Sequence, residues 1–170
     1  MRDGQRAPAG RKRIGILAMI FITVVVNYMD RSNMSVAAAA LGDDLQIDTV
    51  QMGLIFSAFA WTYSALQIPG GMMVDRVRPR FLYPAILIAW SIATIAQGFA
   101  QTLAVLIACR MMIGVFEAPS YPINNKIVTS WFPEQERASA IAVYTSGQFI
   151  GIAFLLPALA LVQTAFGWRG

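Results

Sequence analysis

The 170-residue chain is 57% hydrophobic and only 13% charged, whereas soluble domains are about 45–50% apolar and about 25% charged. This composition excludes an ordinary water-soluble domain, because too few polar side chains are available to cover its surface. The net charge of +4 does not indicate nucleic-acid binding, since the basic residues gather in a terminal tail and in short gaps between apolar runs, which is typical of topology signals.

Residues 1–13 form a predicted cytoplasmic tail that carries five basic residues: Arg2, Arg6, Arg11, Lys12 and Arg13. The apolar run that follows continues past twenty residues and has no small-residue cleavage site after a short apolar core. We therefore interpret it as a retained membrane span and not as a signal peptide.

Five segments are long enough to cross a bilayer as a helix, which takes about 20 apolar residues. They cover residues 14–40, 50–74, 81–99, 103–123 and 138–162. Such segments are expected to be helical, because lipid offers no hydrogen-bond partner for unpaired backbone groups. The short connections predict antiparallel neighbours in one bundle, so the predicted fold class is an all-α membrane protein. Residues 164–170 follow the last span.

The distribution of lysine and arginine predicts the orientation. With the N-terminus in the cytoplasm, Arg169 is the one basic residue outside. The inside segments then hold Arg2, Arg6, Arg11, Lys12, Arg13, Arg76, Arg78, Arg80, Lys126 and Arg137. This bias predicts a multi-pass protein of the plasma (inner) membrane with a cytoplasmic N-terminus.

Four ionisable residues lie within the predicted spans: Asp30, Arg31, Arg110 and Glu117. Each costs about 2.5–3.5 kcal/mol at the centre of a membrane helix, so each must pair or line a polar cavity. Arg110 and Glu117 are two helical turns apart, about 10 Å along one face, and can face the same cavity without touching. The alternative is that these charges only fix helix packing.

Helical spacing also places Asn27, Tyr28 and Arg31 on one side of the first span. An amide, a phenol and a guanidinium together suit a carboxylate with neighbouring hydroxyls. Burial disfavours the charged form of a carboxylate, and a nearby arginine favours it. Asp30 or Glu117 could therefore load a proton and release it when an arginine changes partner, leaving that arginine to hold an anion.

The connection after the second span carries a recognisable loop sequence, with Gly71, Asp75, Arg76 and Arg80 in register. It resembles the signature between helices two and three of the major facilitator superfamily, although Arg78 stands where glycine is usual. We expect Gly70 and Gly71 to allow close helix approach. We expect Asp75 to pair with a neighbouring arginine or to cap the next helix.

A closer resemblance, to the anion:cation symporter family, covers nearly the whole chain after the tail. Six segments carry it: residues 27–31, 56–61, 67–71, 114–119, 131–138 and 144–149. That family includes bacterial hexonate, hexuronate and hexarate permeases and vesicular anion transporters.

The resemblance implies a role for each matching position. It makes Arg31 the residue that binds the substrate carboxylate. It makes Asp30 and Glu117 the protonatable carboxylates, with Arg110 as their partner. The polar ligands of a sugar acid would be Tyr28, Tyr63 and Gln148, beside Asn27 from the spacing argument.

The family has twelve helices in two halves of six, with the site between the halves. The chain supplies five helices of the N-terminal half, and its closing Gly-Trp-Arg resembles the stretch before helix six. We therefore expect a truncated sequence whose missing partner is the C-terminal half of the transporter, and we expect that this chain alone does not transport.

The predicted function is proton-coupled symport of a sugar-acid anion across a lipid bilayer. Transport of another organic anion, such as a phthalate-like or dicarboxylate compound, exchange without protons, and a non-transporting membrane subunit remain alternatives. The sequence offers no nucleophile–base pair, phosphate loop or metal-ligand cluster, with no histidine and one cysteine, Cys109. We predict no enzyme activity, no metal site and no cofactor, with the proton as the coupling ion.

Overall fold

The computed structural model describes residues 10–167, apart from the side chain of Arg11. The predicted tail residues Arg2 and Arg6 and the closing residues Trp168 and Arg169 lie outside the described residues. Within 10–167 the chain is helical throughout, with short turns and no strand, which confirms the predicted all-α fold class.

Seven α-helices and one π-helical segment follow one another along the described chain. They are α1 (Gly10–Leu45), α2 (Thr49–Arg76), α3 (Pro79–Gly98), α4 (Leu103–Glu117), α5 (Ser120–Trp131), α6 (Glu134–Ile150), the π-helical segment (Gly151–Leu155) and α7 (Leu156–Phe166). Because α5 follows α4 directly, and the π-helical segment joins α6 to α7, the chain forms five long rods.

Four of these rods are long and apolar enough to cross a membrane: Lys12–Leu45, Pro79–Gly98, Leu103–Trp131 and Glu134–Phe166. The second predicted span, α2, has 28 residues, about 42 Å of helix, against a hydrocarbon core of about 30 Å. It is long enough, but polar residues such as Gln51, Tyr63 and Gln67 interrupt its apolar run. Composition alone therefore does not place α2 among the spans.

The helix boundaries differ most from the predicted ones around residue 124. The fourth rod continues to Trp131, and α6 begins at Glu134, so most of the connection expected between the fourth and fifth spans is helical. Val128 is buried in an apolar cluster, and Ile127 and Trp131 pack against that cluster. Burial of the apolar face of α5 therefore explains why the fourth rod continues past residue 123, where its predicted span ended.

Two side chains cap the start of α2 by hydrogen-bonding to its first backbone N–H groups. Asp48 Oδ1 accepts a hydrogen bond from Gln51 N at 2.8 Å, and Gln51 Oε1 accepts one from Asp48 N at 3.1 Å. This reciprocal capping box satisfies two backbone donors at the start of the helix. One acidic residue of the predicted loop at 41–49, Asp48, thus caps the start of α2.

Glycines allow two pairs of rods to approach closely. Gly114 of α4 faces the backbone of α2, where a Cβ would lie 2.8 Å from the Phe59 carbonyl oxygen. Gly147 and Gly151, one helical turn apart, face α1, with added Cβ atoms 3.1 and 2.9 Å from the carbonyl oxygens of Phe21 and Val25. Small residues at such spacing let membrane helices pack backbone to backbone. The rods α2 and α4, and α1 and α6, are therefore held at short distance.

We predict that Gly114→Ala destabilises the complete protein that carries this chain, because the new methyl group overlaps the α2 backbone. Overpacking of this kind costs about 1–3 kcal/mol, so the apparent melting temperature in detergent should fall by several degrees. Gly53→Ala is the matched control, since nothing lies within 4 Å of a Cβ there. An unchanged melting temperature for Gly114→Ala would show that α2 and α4 are not packed as described.

Candidate functional site

The ionisable residues predicted within the membrane meet in the space between α1 and α4, where their side chains contact each other. Asn27, Asp30 and Arg31 lie within little more than one turn of α1, and Arg110 and Glu117 lie two turns apart on α4. Glu117 is 1% exposed, Asn27 2% and Arg110 3%. The structure thus brings the four charges together in the interior of the described bundle, as a functional cluster requires.

Glu117 is bound from α1. The Arg31 guanidinium makes an ion pair with Glu117 Oε1 at 2.7 Å, and its Nε donates to the same oxygen at 2.8 Å. Asn27 Nδ2 also donates to Oε1, at 3.1 Å. Glu117 Oε2 is buried and has no hydrogen-bond partner among the described residues. One carboxylate oxygen therefore receives all the donors, and the other is left for a proton or a further donor.

Aromatic rings surround the other faces of Arg31. Its guanidinium carbon lies 4.5 Å from the Tyr63 ring centroid, 5.0 Å from that of Tyr28 and 5.1 Å from that of Phe59. Such contacts stabilise a cation through the ring quadrupole without neutralising its charge. Tyr121 donates a 3.5 Å hydrogen bond to the Tyr28 hydroxyl. The aromatic residues thus hold the guanidinium in place whichever anion pairs with it.

Asp30 points to a different helix. Its Oδ2 accepts hydrogen bonds from Trp90 Nε1 at 2.9 Å and from Thr94 Oγ1 at 3.3 Å. Both donors lie on α3, one turn apart. Asp30 is therefore oriented by uncharged donors.

Arg110 makes no ion pair within 4 Å among the described residues. Its guanidinium lies 5.3 Å from the Phe59 ring centroid, and its buried Nε has no hydrogen-bond partner there. The charges of Asp30 and Glu117 attract it from a greater distance. The predicted partnership of Arg110 with the two carboxylates stays a prediction; in this structure Arg31 and donors on α3 bind the carboxylate oxygens, and Arg110 acts on them from beyond ion-pair distance.

The four predicted uncharged substrate ligands differ in their contacts with the charge cluster, and their binding of a substrate stays a prediction. Asn27 was expected to face a substrate beside Arg31, but its amide nitrogen is bound to Glu117. Its buried Oδ1 has no partner in the described part of the chain. Gln148 is half-buried on α6, and no hydrogen bond within residues 10–167 joins it to the charge cluster. Tyr28 and Tyr63 do line the cluster, through their contacts with Arg31.

Four residues that were not predicted as site residues contact the charged residues or their aromatic neighbours: Phe59, Trp90, Thr94 and Tyr121. Trp90 and Thr94 stand at i and i+4 on α3, and this spacing was available in the sequence. Nothing in the sequence relates that face of α3 to Asp30, which is 60 residues away.

The loop signature lies at the other end of α2, next to α5. Lys126 donates to the Val74 carbonyl oxygen and approaches Asp75 Oδ1 at 3.9 Å. The Asp75 side chain is 83% exposed, so this ion pair contributes little stability. The expectation that Asp75 pairs with an arginine or caps α3 is wrong, because its partner is a lysine and α3 begins after Arg78 with no side-chain cap.

The other residues of the loop signature make few side-chain contacts with neighbouring helices. The Arg80 guanidinium lies 4.4 Å from the ring centroid of Phe81, and Arg76 is an exposed residue at the end of α2. Gly70, not Gly71, allows the close helix approach, since its added Cβ would lie 3.3 Å from Pro119 Cγ while Gly71 has nothing within 4 Å.

Comparison with known proteins identifies the family. Residues 20–170 match the family model described as Major Facilitator Superfamily. The chain is 52% identical over 163 residues to the D-galactonate transporter of Escherichia coli O6:H1, covering 96% of this chain and 38% of that protein. It is 41% identical over 160 residues to the "Probable galactarate/D-glucarate transporter GarP" of Escherichia coli K12, covering 91% of this chain and 36% of the relative.

A solved structure gives the same fold. It is a bacterial homologue of the human lysosomal transporter Spinster, in an inward-facing and occupied conformation. The TM-score is 0.85 at 29% identity, and the match covers 92% of this chain and 35% of the other. The chain thus spans little more than a third of the length of the relatives it matches.

Proposed function

Since this chain belongs to the Major Facilitator Superfamily, we propose that it forms the N-terminal part of a proton-coupled symporter for sugar-acid anions. It is a multi-pass membrane protein of a transporter family and not an enzyme. The observation that carries the proposal is the buried ion pair between Arg31 and Glu117 inside a ring of aromatic side chains.

The substrate class comes from the relatives and from the chemistry of the cluster. Two relatives are named for D-galactonate and for galactarate and D-glucarate, which are sugar acids with one or two carboxylates and several hydroxyls. Arg31 supplies a guanidinium suited to a carboxylate. Tyr28, Tyr63 and Gln148 supply the uncharged hydrogen-bonding groups that hydroxyls need.

Proton coupling follows from competition for one guanidinium. When Glu117 is ionised, it neutralises Arg31 and excludes a second anion. A proton on Glu117, whose Oε2 has no partner among the described residues, removes that attraction and leaves Arg31 to the substrate carboxylate. The cluster gains one proton and one anion together, so its net charge is unchanged. Coupled loading of this kind avoids leaving a lone buried charge in the membrane.

The other two charges complete the proposed cycle. Asp30 is the second protonatable carboxylate, and Arg110, unpaired within 4 Å among the described residues, offers a second cation that both carboxylates attract. In this superfamily the substrate site lies between the two halves of the protein. We infer that a second half completes the site, and that the protein lies in the inner membrane with its N-terminus in the cytoplasm.

We predict that Glu117→Gln uncouples anion movement from proton movement, because a glutamine cannot carry the proton. The complete protein would be reconstituted in liposomes that contain a pH-sensitive dye, and D-galactonate would be added outside. The wild type should acidify the lumen. Glu117→Gln should still exchange labelled for unlabelled D-galactonate but should not acidify the lumen.

The control for this experiment is Glu134→Gln, which changes an exposed glutamate at the start of α6. It should behave as the wild type. Lumen acidification by Glu117→Gln at the wild-type rate would remove the coupling role. Exchange of phthalate or a dicarboxylate, but not of sugar acids, by the wild type would replace the proposed substrate class.

We predict that Arg31→Lys weakens anion binding by about tenfold to a hundredfold, about 1.4–2.8 kcal/mol in total, since a lysine loses the planar two-point contact with the carboxylate and the stacking on the aromatic rings. Isothermal titration of D-galactonate into the complete protein in detergent measures this change. Arg13→Lys, at an ion pair with Glu136 outside the cluster, is the matched control. Equal affinity of Arg31→Lys and the wild type would contradict the anion-binding role.

A further inference from the structure

Helix α3 contributes a residue to the charge cluster although it packs mainly elsewhere. Trp90 is 5% exposed and belongs to an apolar cluster with Ala93 and Ile113, against which Phe59 and Phe116 pack. This cluster fixes the indole ring between α3 and α4. Its Nε1–H nonetheless reaches Asp30 on α1 at 2.9 Å.

Two further side-chain contacts connect α3 to α1. Thr94, one turn after Trp90, donates to the same Asp30 oxygen at 3.3 Å. Gln97, on the next turn, directs its amide nitrogen to Met34 Sδ at 3.7 Å. The tips of these side chains connect α3 to α1, and two of the three contacts end on one carboxylate oxygen.

The chemistry of the donors distinguishes the two oxygens of Asp30. An indole N–H is a donor only, so Oδ2 must stay an acceptor whether Asp30 is charged or neutral. A proton on Oδ2 would face the indole hydrogen at close range. Among the described residues no group donates a hydrogen bond to Oδ1. Since Oδ2 already accepts from two donors, the geometry favours Oδ1 as the atom at which Asp30 takes and gives up a proton.

We propose that Trp90 and Thr94 are positioning residues that hold Asp30 by Oδ2 and present Oδ1 as its proton-accepting atom. The inference rests on the proposed proton coupling and deepens it. The charged groups that act on Asp30 are Arg31 on its own helix and Arg110 and Glu117 on α4. Trp90 and Thr94 add neutral donors from α3, which favour the ionised carboxylate without adding charge.

The test is the pH dependence of D-galactonate uptake by the complete protein in liposomes. Trp90→Phe keeps the ring and removes the donor. Loss of one hydrogen bond to a charged group should move the pH of half-maximal uptake upward by about one unit, because the ionised carboxylate is less stabilised. Thr94→Val should move it in the same direction by a smaller amount, since its bond is longer. Exchange of labelled anion should continue in both variants.

Matched controls separate positioning from a merely structural role. Trp131→Phe and Thr129→Val make the same chemical changes on α5, away from Asp30, and should leave the pH midpoint in place. With Asp30→Asn already present, adding Trp90→Phe should cause no further shift. If Trp90→Phe is poorly folded, Thr94→Val carries the test with the same expected direction.

The inference is overturned if the midpoints of Trp90→Phe and Thr94→Val equal that of the wild type, or if the α5 controls shift as far. It is also overturned if Trp90→Phe still shifts the midpoint in the Asp30→Asn background. A wild type that moves D-galactonate without protons would instead defeat the proposed function, so the two failures can be told apart.

Discussion

Glu117 is buried beside Arg31, and this pair governs what the rest of the structure must do. An isolated charge at membrane depth is costly. A buried ion pair offsets its desolvation cost only when its geometry is good and its remaining polar atoms have hydrogen-bond partners. Here Arg31 and Asn27 satisfy one oxygen of Glu117, and aromatic rings hold the guanidinium. The second oxygen stays unpartnered within the described bundle. An ion pair that served stability alone would not need an unpartnered second oxygen on Glu117, whereas the proposed proton site does.

Backbone packing positions the pair. Gly114 lies three residues before Glu117 and allows α4 to approach the α2 backbone beside Tyr63. Gly151 approaches α1 so closely that an added Cβ would lie 3.3 Å from the Tyr28 Cβ. Larger residues at either position would push α1, α2 and α4 apart. The small residues therefore act on the charge cluster through the distances between its helices, and they bind nothing themselves.

The fold class and the four ionisable residues were predictable because membrane burial restricts both so strongly. Which of these four residues pair with each other was not predictable. Spacing along one helix shows which residues share a face, but it does not show which neighbouring helix that face contacts. Which arginine pairs with which carboxylate was left open; in the structure Arg31 binds Glu117, and Arg110 makes no ion pair within 4 Å among the described residues. Trp90 was not predicted as a site residue, because nothing in the sequence places α3 beside Asp30 of α1. Likewise, α5 extends past its apolar run because tertiary contacts bury Val128.

The central claim is that the anion takes Arg31 from Glu117 only when Glu117 gains a proton. Infrared difference spectroscopy of the complete protein, recorded as D-galactonate binds, observes this event directly. A carbonyl stretching band of a protonated carboxylic acid should appear on binding in the wild type and be missing in Glu117→Gln. Binding without such a band, or a band that persists unchanged in Glu117→Gln, would contradict the claim.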